Sequence, residues 1–559
     1  MMDTMGLPKA PKGYGSRGIV VLGSLSPVKH KIEERLGRVP GSNVRFLTTT
    51  AESFSTVATD GVAKIRKIAE LCKANPEFIV KDKLYRLLYD KNLYLIAYNK
   101  LKSNRGTPGI VPTTLDGMSM EVIEGIISKL RLGSFDFQRK MPKANGKQRP
   151  LTIAPPRDKL VQECMRMILE AIFEPSFSEC SHGFRPNHPE GGGNRCCHTA
   201  LRSINQKFGM ATWLIEGDIS NCFPSISHNL LLNILKARIK DERFIDLIRK
   251  SLKAGYFEFK KFSHSVAGTP QGSIISPILA NIFLDKLDKF VLNLKSEFDV
   301  GTKASINPEY KRLDSRKNRA KCLSMKIELH KQMLKTIDPN FKKLEYIRYA
   351  DDLIIGVRGA RQDCVLLLQK IKSFLESELQ LELSVEKMIT NCREDAATFL
   401  STVIKRGAHF RRSQGRLKRN VRNIRLTAPL ERVTKKLSAG GFLKENEPTP
   451  KFIWMHNNKD AIILLYNSVY RGIIQYYRFA CNFNELSSKV HYILKESCAK
   501  LLAAKFSVNS QAKIFARFGK DLRGEDKHKF VDIVLGINTA AFKVGTDDVN
   551  LKIFRTYLT

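Results

Sequence analysis

Glu345-Tyr346-Ile347-Arg348-Tyr349-Ala350-Asp351-Asp352-Leu353-Ile354-Ile355-Gly356-Val357 is the stretch on which the reading of this chain turns. Apolar and aromatic residues run up to two adjacent carboxylates, and a β-rich run of Leu353, Ile354, Ile355 and Val357 leaves them. That pattern predicts a hairpin with both aspartates at its tip. Two carboxylates on one tight turn repel each other and resist burial unless a cation sits between them. A hard divalent ion, Mg²⁺, held by oxygen ligands and a nucleotide's phosphates, is the simplest occupant. Turns also carry Asp pairs on plain solvent, so the rest of the chain decides.

Three other stretches bear on that decision. Trp213 to Phe223 reads as a strand ending at Asp218, a third carboxylate at a strand end. Three acidic side chains with backbone oxygen suit two Mg²⁺ ions and in-line displacement at phosphorus. Phe223, five residues on, would lie beneath that site, where its ring could exclude a 2′-hydroxyl; core packing is the plainer role. Ala267 to Leu284 is a Gly/Pro turn opening a helix with an apolar stripe of Leu279, Phe283, Leu287 and Val291. Its helix start and the Gln271 amide suit a nucleotide, though such turns also serve as bare connectors. Met141 to Pro150 centres on Asn145-Gly146, a strong hairpin signal. Lys143, Lys147 and Arg149 would project from its tip, either towards a triphosphate or into solvent. His182, beside Gly183 in a loop, is expected to be hydrogen-bonded and is assigned no chemistry.

A basic hairpin, Asp-x-x-x-x-Phe, Pro270-Gln271-Gly272 and Tyr349-Ala350-Asp351-Asp352, in that order, resemble the motifs of a reverse transcriptase. The closest likeness is to the mitochondrial type of group II intron-encoded reverse transcriptase/maturase, over about residues 61–540. The resemblance implies an α+β right-hand polymerase, with fingers and an antiparallel palm sheet, followed by an α-helical thumb and maturase domain X. Residues 1–60 would be an N-terminal extension, 61–404 fingers and palm, 405–445 thumb, and 446–559 domain X with a tail. It implies that Asp218, Asp351 and Asp352 bind catalytic Mg²⁺, with the Ile219 carbonyl assisting. Lys143 and Arg149 would touch the incoming triphosphate, Gln271 would line the nucleotide site, and Phe223 would select deoxynucleotides. Leu383 to Lys387 and Thr398 to Ile404 resemble the last two polymerase motifs, the second holding a tight turn that steadies the primer end. The family usually has glycine where this chain has Ser401.

Charge supports a polyanionic partner. Among 559 residues Lys and Arg outnumber Asp and Glu by 94 to 55, a formal net charge of +39, which favours nucleic acid. No apolar run near 18 residues argues for a membrane. Lys405 to Lys436 holds 12 Lys/Arg against Glu431 alone, read here as a thumb helix tracking a template–primer backbone. A basic insertion from about 290 to 345 has 12 Lys/Arg and 5 Asp/Glu in its last 45 residues, 301–345; it reads equally as an RNA contact or a solvated helical excursion. Two later helices mix aromatics with cations, and Arg471-Gly472, Tyr476-Tyr477 and Ser497 to Lys505 resemble domain X. The expected RNA contacts are therefore Arg411, Arg412, Arg416, Lys418, Arg419, Arg422, Arg425, Arg471, Tyr476, Tyr477 and Lys505.

The eleven cysteines form no Cys-x-x-Cys pair and read as free thiols. Beyond residue 506 there is one histidine, His528, and no cysteine, so a zinc-supported endonuclease is not expected here. The first 60 residues read either as an organellar transit segment or as a disordered extension. The expected partners are group II intron RNA, an RNA template with DNA primer, and deoxynucleoside triphosphates, with no membrane; a homodimer is compatible with the sequence. The expected location is mitochondrial, with a bacterial cytoplasm or a plastid as alternatives. The rival expectation is a non-catalytic RNA-binding splicing cofactor that retains the polymerase fold.

Overall fold

The computed structural model describes residues 60–102, 118–137, 141–142, 152–186, 195–254, 256–258, 261–263, 268–269, 272–301, 307–320, 322–331, 340–384, 389–392, 394–413, 416–524 and 528–534. At its centre is a four-stranded antiparallel sheet. Its order is Lys343–Tyr349, Asp352–Arg358, Trp213–Asp218, Ile389–Asn391. In the second strand Leu353, Ile354, Ile355 and Val357 are all buried, because helices cover one face, and helix Cys197–Lys207 together with further strands covers the other. Such a strand needs a continuous apolar run rather than alternation.

Helix Ser276–Phe298 packs on strand Lys343–Tyr349. The stripe expected from its sequence, Leu279, Phe283, Leu287 and Val291, is fully buried. The helix runs unbroken through residue 290, the expected start of the basic insertion, as far as Phe298. The insertion contains two short helices, Pro308–Arg319 and Leu323–Lys331, that pack on each other, and Pro308–Arg319 buries no residue. Upstream, Ile68, Leu84, Leu87, Leu88 and Leu93 enter the same core, whereas Leu71 and Ile96 face solvent.

The expected thumb helix over 405–436 is not formed. Thr402–Ser413 and Arg416–Thr427 are two long antiparallel strands, and helix starts only at Leu430. The physical reason is the period of the apolar positions. Ile424 and Leu426 are buried two apart, and Leu426 pairs across the ladder with buried Ile404. A period of two buries one face of a strand and would split around a helix.

The C-terminal module is helical, built on Lys459–Tyr476 and Phe483–Lys505. Tyr466 and Tyr470 are core residues with satisfied hydroxyls, whereas Tyr492 on the second helix faces solvent. Tyr466 shares a 2.9 Å hydrogen bond with Ser497, and Tyr470 one of 2.8 Å with Ser487. All eleven cysteines are free thiols. Among the described residues no helix is long and apolar enough to cross a membrane.

Candidate active site

The hairpin predicted at 345–357 is present. Tyr349 pairs with Asp352, so Ala350 and Asp351 alone make the turn. Ala350 is left-handed, at φ 58°, a conformation that persists for a residue with a Cβ only when its surroundings over-determine it. Across the next ladder Asp218 is directly opposite Asp352. Residues directly opposite in an antiparallel pair share a face, and like charges there are destabilising. Asp351 joins them through its backbone, its carbonyl accepting from Ile219 N–H at 3.4 Å. Asp218 is exposed, and Asp351 and Asp352 are half-buried. The Asp218 carbonyl accepts from Ser384 N–H at 2.8 Å, bringing the Leu383–Ser384 motif alongside. Buried Cys222 has its thiol pushed up to about 12 by burial, with the Asp351 and Asp218 charges adding to it, so it stays neutral beside the carboxylates.

What over-determines the turn is a buried network that the sequence did not reveal. Arg348 is 1% exposed. Its guanidinium grips Asp288 with two bonds, Nε to Oδ1 at 2.7 Å and Nη2 to Oδ2 at 2.6 Å. Nη1 donates to the Ala350 carbonyl at 2.8 Å and to Asn281 Oδ1 at 3.2 Å, and Nη2 to Ser181 Oγ at 2.9 Å. Tyr346 donates its hydroxyl to Asp288 Oδ1 at 2.8 Å. Burial opposes the charge on Arg348, but the Asp288 carboxylate outweighs it and raises the proton affinity.

The loop after Cys180 closes over the same turn. His182 N–H donates to the Arg348 carbonyl at 2.9 Å, and its Nδ1 meets Thr199 Oγ1 at 3.0 Å, a hydrogen-bonded loop residue as expected. Gly183 lies so close to the turn that a Cβ on it would sit 2.4 Å from Ala350 N. Backbone on both sides leaves no room to yield. A Gly183→Ala variant is therefore expected to displace the Asp351–Asp352 turn, and any activity that depends on these carboxylates should fall by about a hundredfold, the cost of roughly 1 Å of misplacement. Amide hydrogen exchange at the turn, beside a folding check by circular dichroism, reads the displacement.

Phe223 is half-buried, its ring edge-on to that of exposed Phe184, with centroids 6.2 Å apart. Its carbonyl accepts from Thr269 N–H at 2.7 Å. Gly268, at φ 90°, backs onto Pro224, whose carbonyl oxygen would be 2.4 Å from any Cβ there. The loop leading into Pro270-Gln271-Gly272 is thus clasped to the Phe223 turn. Gln271, Lys143 and Arg149 lie outside the described residues; the hairpin expected around the last two has its base pairing in place, Met141 to Ile153 and Pro142 to Thr152.

The motif at 398–404 forms a two-residue hairpin, Phe399 pairing with Thr402. Both turn residues are left-handed, Leu400 at φ 48° and Ser401 at φ 55°, which explains why glycine suits position 401. The tyrosines expected to stack on RNA are found here instead. Tyr476 and Tyr477 are 6% and 2% exposed, and their hydroxyls donate to the Leu400 carbonyl at 2.5 Å and the Ser401 carbonyl at 3.0 Å. Buried rings cannot stack on bases. Of the other expected contacts, Arg471 is exposed and Lys505 donates to the Met455 carbonyl at 3.0 Å. Arg425 is half-buried against Gly407. Arg411, Arg412, Arg416, Lys418, Arg419 and Arg422 fall on the two long basic strands.

Among the described residues no three His, Cys, Asp or Glu side chains converge into a ready-made metal cage. The donors at the strand ends are nevertheless all carboxylate oxygens, with Asp218 and Asp352 on one face. That set suits a hard divalent cation that takes its remaining ligands from phosphates.

Residues 141–307 match the family model described as reverse transcriptase (RNA-dependent DNA polymerase), and residues 421–545 match type II intron maturase. The chain is 41% identical over 501 residues to an uncharacterized 91 kDa protein in the cob intron of Schizosaccharomyces pombe, covering 86% of this chain and 61% of that one. It is 39% identical over 458 residues to the group II intron-encoded protein LtrA of Lactococcus lactis, covering 76% of this chain and 75% of that one. This chain belongs to the group II intron-encoded protein family. A further member-like relative, the uncharacterized mitochondrial protein ymf11 of Marchantia polymorpha, is 28% identical over 452 residues, 69% of this chain and 59% of that one. This group II intron-encoded protein thus spans about three fifths of the length of the fission-yeast and liverwort relatives.

Proposed function

We propose that this protein is an RNA-directed DNA polymerase and maturase, which binds its group II intron RNA, promotes its splicing, and copies RNA into DNA. The observation that carries the polymerase reading is the register of the palm strands, with Asp218 opposite Asp352 and Asp351 in the adjoining turn. In this reading Asp218, Asp351 and Asp352, with the Ile219 carbonyl, hold the catalytic cations. Mg²⁺ held by these oxygens would supply Lewis-acid activation of the primer 3′-oxygen and charge stabilisation for the pyrophosphate that leaves as the new bond to the α-phosphorus forms. Lys143 and Arg149 neutralise the triphosphate, and Gln271 lines the nucleotide site. Arg471 and the two basic strands meet RNA phosphates, which need cations and carry no sequence code. Splicing chemistry stays with the RNA. A mitochondrial location is in keeping with the liverwort relative's description as a mitochondrial protein.

Primer extension by the purified protein, on an RNA template with Mg²⁺ and deoxynucleotides, tests the first half. Binding to a group II intron RNA against unrelated RNA of equal length, in moderate salt, tests the second. Tight intron binding and restored splicing without extension would leave a splicing cofactor; no preference for the intron would sink the maturase reading.

Phe223 carries the sugar selectivity in this proposal, its ring filling the space a 2′-hydroxyl would need. Phe223→Ala is expected to raise ribonucleotide over deoxynucleotide incorporation at least about tenfold, the scale on which a pocket rejects a small added group. Competition between the two nucleotide types in single-turnover extension measures the ratio.

A further inference from the structure

The turn at Leu400–Ser401 poses a physical problem. A two-residue hairpin with both central residues left-handed is easy for Asn-Gly and costly for residues with a longer side chain, roughly 1–2 kcal/mol at each. Nothing in Leu-Ser prefers that shape, and glycine is absent. The neighbouring strand is tied to the palm, since Thr398 N–H donates to Glu216 Oε2 at 2.9 Å, and Glu216 is two residues before Asp218 on the same strand. So the turn adjoins the strand that carries Asp218, while its own sequence does not hold it.

What holds it comes from the other module. The two carbonyls that the left-handed residues present are the two that accept from Tyr476 and Tyr477, at 2.5 Å and 3.0 Å. Both tyrosines stand at the end of helix Lys459–Tyr476, inside the segment matched as type II intron maturase. That helix end is itself fixed to the palm side, because the Tyr476 carbonyl meets His198 Nε2 at 2.8 Å and the two rings lie 5.4 Å apart. The side chain of Leu400 packs, with Tyr349 of the Asp-Asp hairpin and Phe479, against both the palm cluster and the C-terminal cluster. Burial pushes the Tyr477 phenol up to about 12, so it remains a donor throughout the physiological range.

We infer that Tyr476 and Tyr477 are positioning residues of the polymerase, supplied by the maturase module, which hold the Leu400–Ser401 turn in the shape that receives the primer end. The inference rests on the polymerase reading above, because the turn's role at the primer is that of the motif it resembles. The two hydroxyls do not touch substrate. They set the geometry of the backbone that does.

Tyr476→Phe/Tyr477→Phe removes only the two hydroxyls and keeps the buried rings. Each neutral hydrogen bond contributes about 1 kcal/mol, so the double variant is expected to lose about tenfold or more in extension kcat/KM for primer–template. KM for the deoxynucleotide, intron RNA affinity and splicing should stay at parental values. Adding Ser401→Gly, which removes the steric cost at that residue, is expected to restore most of the rate. An unchanged rate in the double variant overturns the inference. So does a loss that Ser401→Gly leaves uncorrected and that intron binding and splicing share, since that pattern belongs to a general packing role. If the parent protein extends no primer, the polymerase reading fails by itself and the inference is read by amide hydrogen exchange. Protection at Val403 and Ile404, paired with Thr398 and Ala397, should then fall in the double variant, and equal protection in both proteins overturns it.

Discussion

An Asp351→Asn, Asp352→Asn double variant is expected to fold like the parent protein and to extend no primer. The carboxylates sit at an open strand end, where Asp218 is exposed and the other two are half-buried, so their removal empties no core. Asp218 and Asp352 are directly opposite on one sheet face. Neutralising one of two like charges in that position relieves repulsion, and the thermal midpoint should hold or rise slightly. Activity should go the other way. Cation ligation at the reacting phosphate is worth several kcal/mol of transition-state charge stabilisation, and each 1.36 kcal/mol is tenfold in rate. Loss of about a thousandfold or more follows, below the floor of an ordinary extension assay. Gel-resolved extension with thermal unfolding in parallel checks both halves. Extension at more than about a tenth of the parental rate would remove these residues from the chemistry.

The largest effect on stability is expected at Arg348. Its guanidinium and the Asp288 carboxylate are both almost wholly enclosed, and four further groups depend on them: Ala350, Asn281, Ser181 and Tyr346. Removing one partner of such a pair strands the other charge away from water, a cost of about 3–5 kcal/mol. Native domains are held by only about 5–15 kcal/mol in total, so Arg348→Met should bring the protein close to its unfolding threshold. Asp288→Leu alone should be similarly damaging. The double variant Arg348→Met/Asp288→Leu strands no charge, and apolar replacement of a buried pair is often neutral; it should recover much of the loss. Urea midpoints of the four proteins test the cycle. Equal midpoints for the parent and Arg348→Met would show that the pair contributes little.

These two sites differ sharply in how far the chain announced them. The hairpin at 345–357 was legible because its apolar residues lead directly to and from the turn, and Asp218 because a strand pattern ends on it. Helix Ser276–Phe298 was legible through Leu279, Phe283, Leu287 and Val291, four positions at helical spacing that are all buried. Arg348 gave a fainter signal, a charge between Ile347 and Tyr349 in the apolar end of its strand. Its partner Asp288 stands on the buried stripe of a helix 60 residues away, a separation that no local pattern spans. The basic strands misled for another reason. Twelve cations in 32 residues mask the period-two placement of Ile424 and Leu426, and charge density says nothing about backbone shape. Tyr476 and Tyr477 looked RNA-facing because arginines flank them. Yet Tyr466, Tyr470, Ile473 and Tyr477 recur every three or four residues, the spacing of a core stripe, and all four are buried.

The joint between the two modules has a bearing on heredity. Tyr349, Leu400 and Phe479 pack against the palm cluster and the C-terminal cluster alike, and Cys197 of the palm-side helix is part of the C-terminal core itself. On the function proposed above, a descendant that gave up copying RNA and lived by splicing alone would still need the palm, since the C-terminal module borrows one of its walls. Selection on splicing would then preserve the scaffold while leaving Asp218, Asp351 and Asp352 unguarded, because none of the three is buried in the core. Those three positions are where a lineage that abandoned polymerisation would first accumulate replacements, and all three are aspartate in this chain.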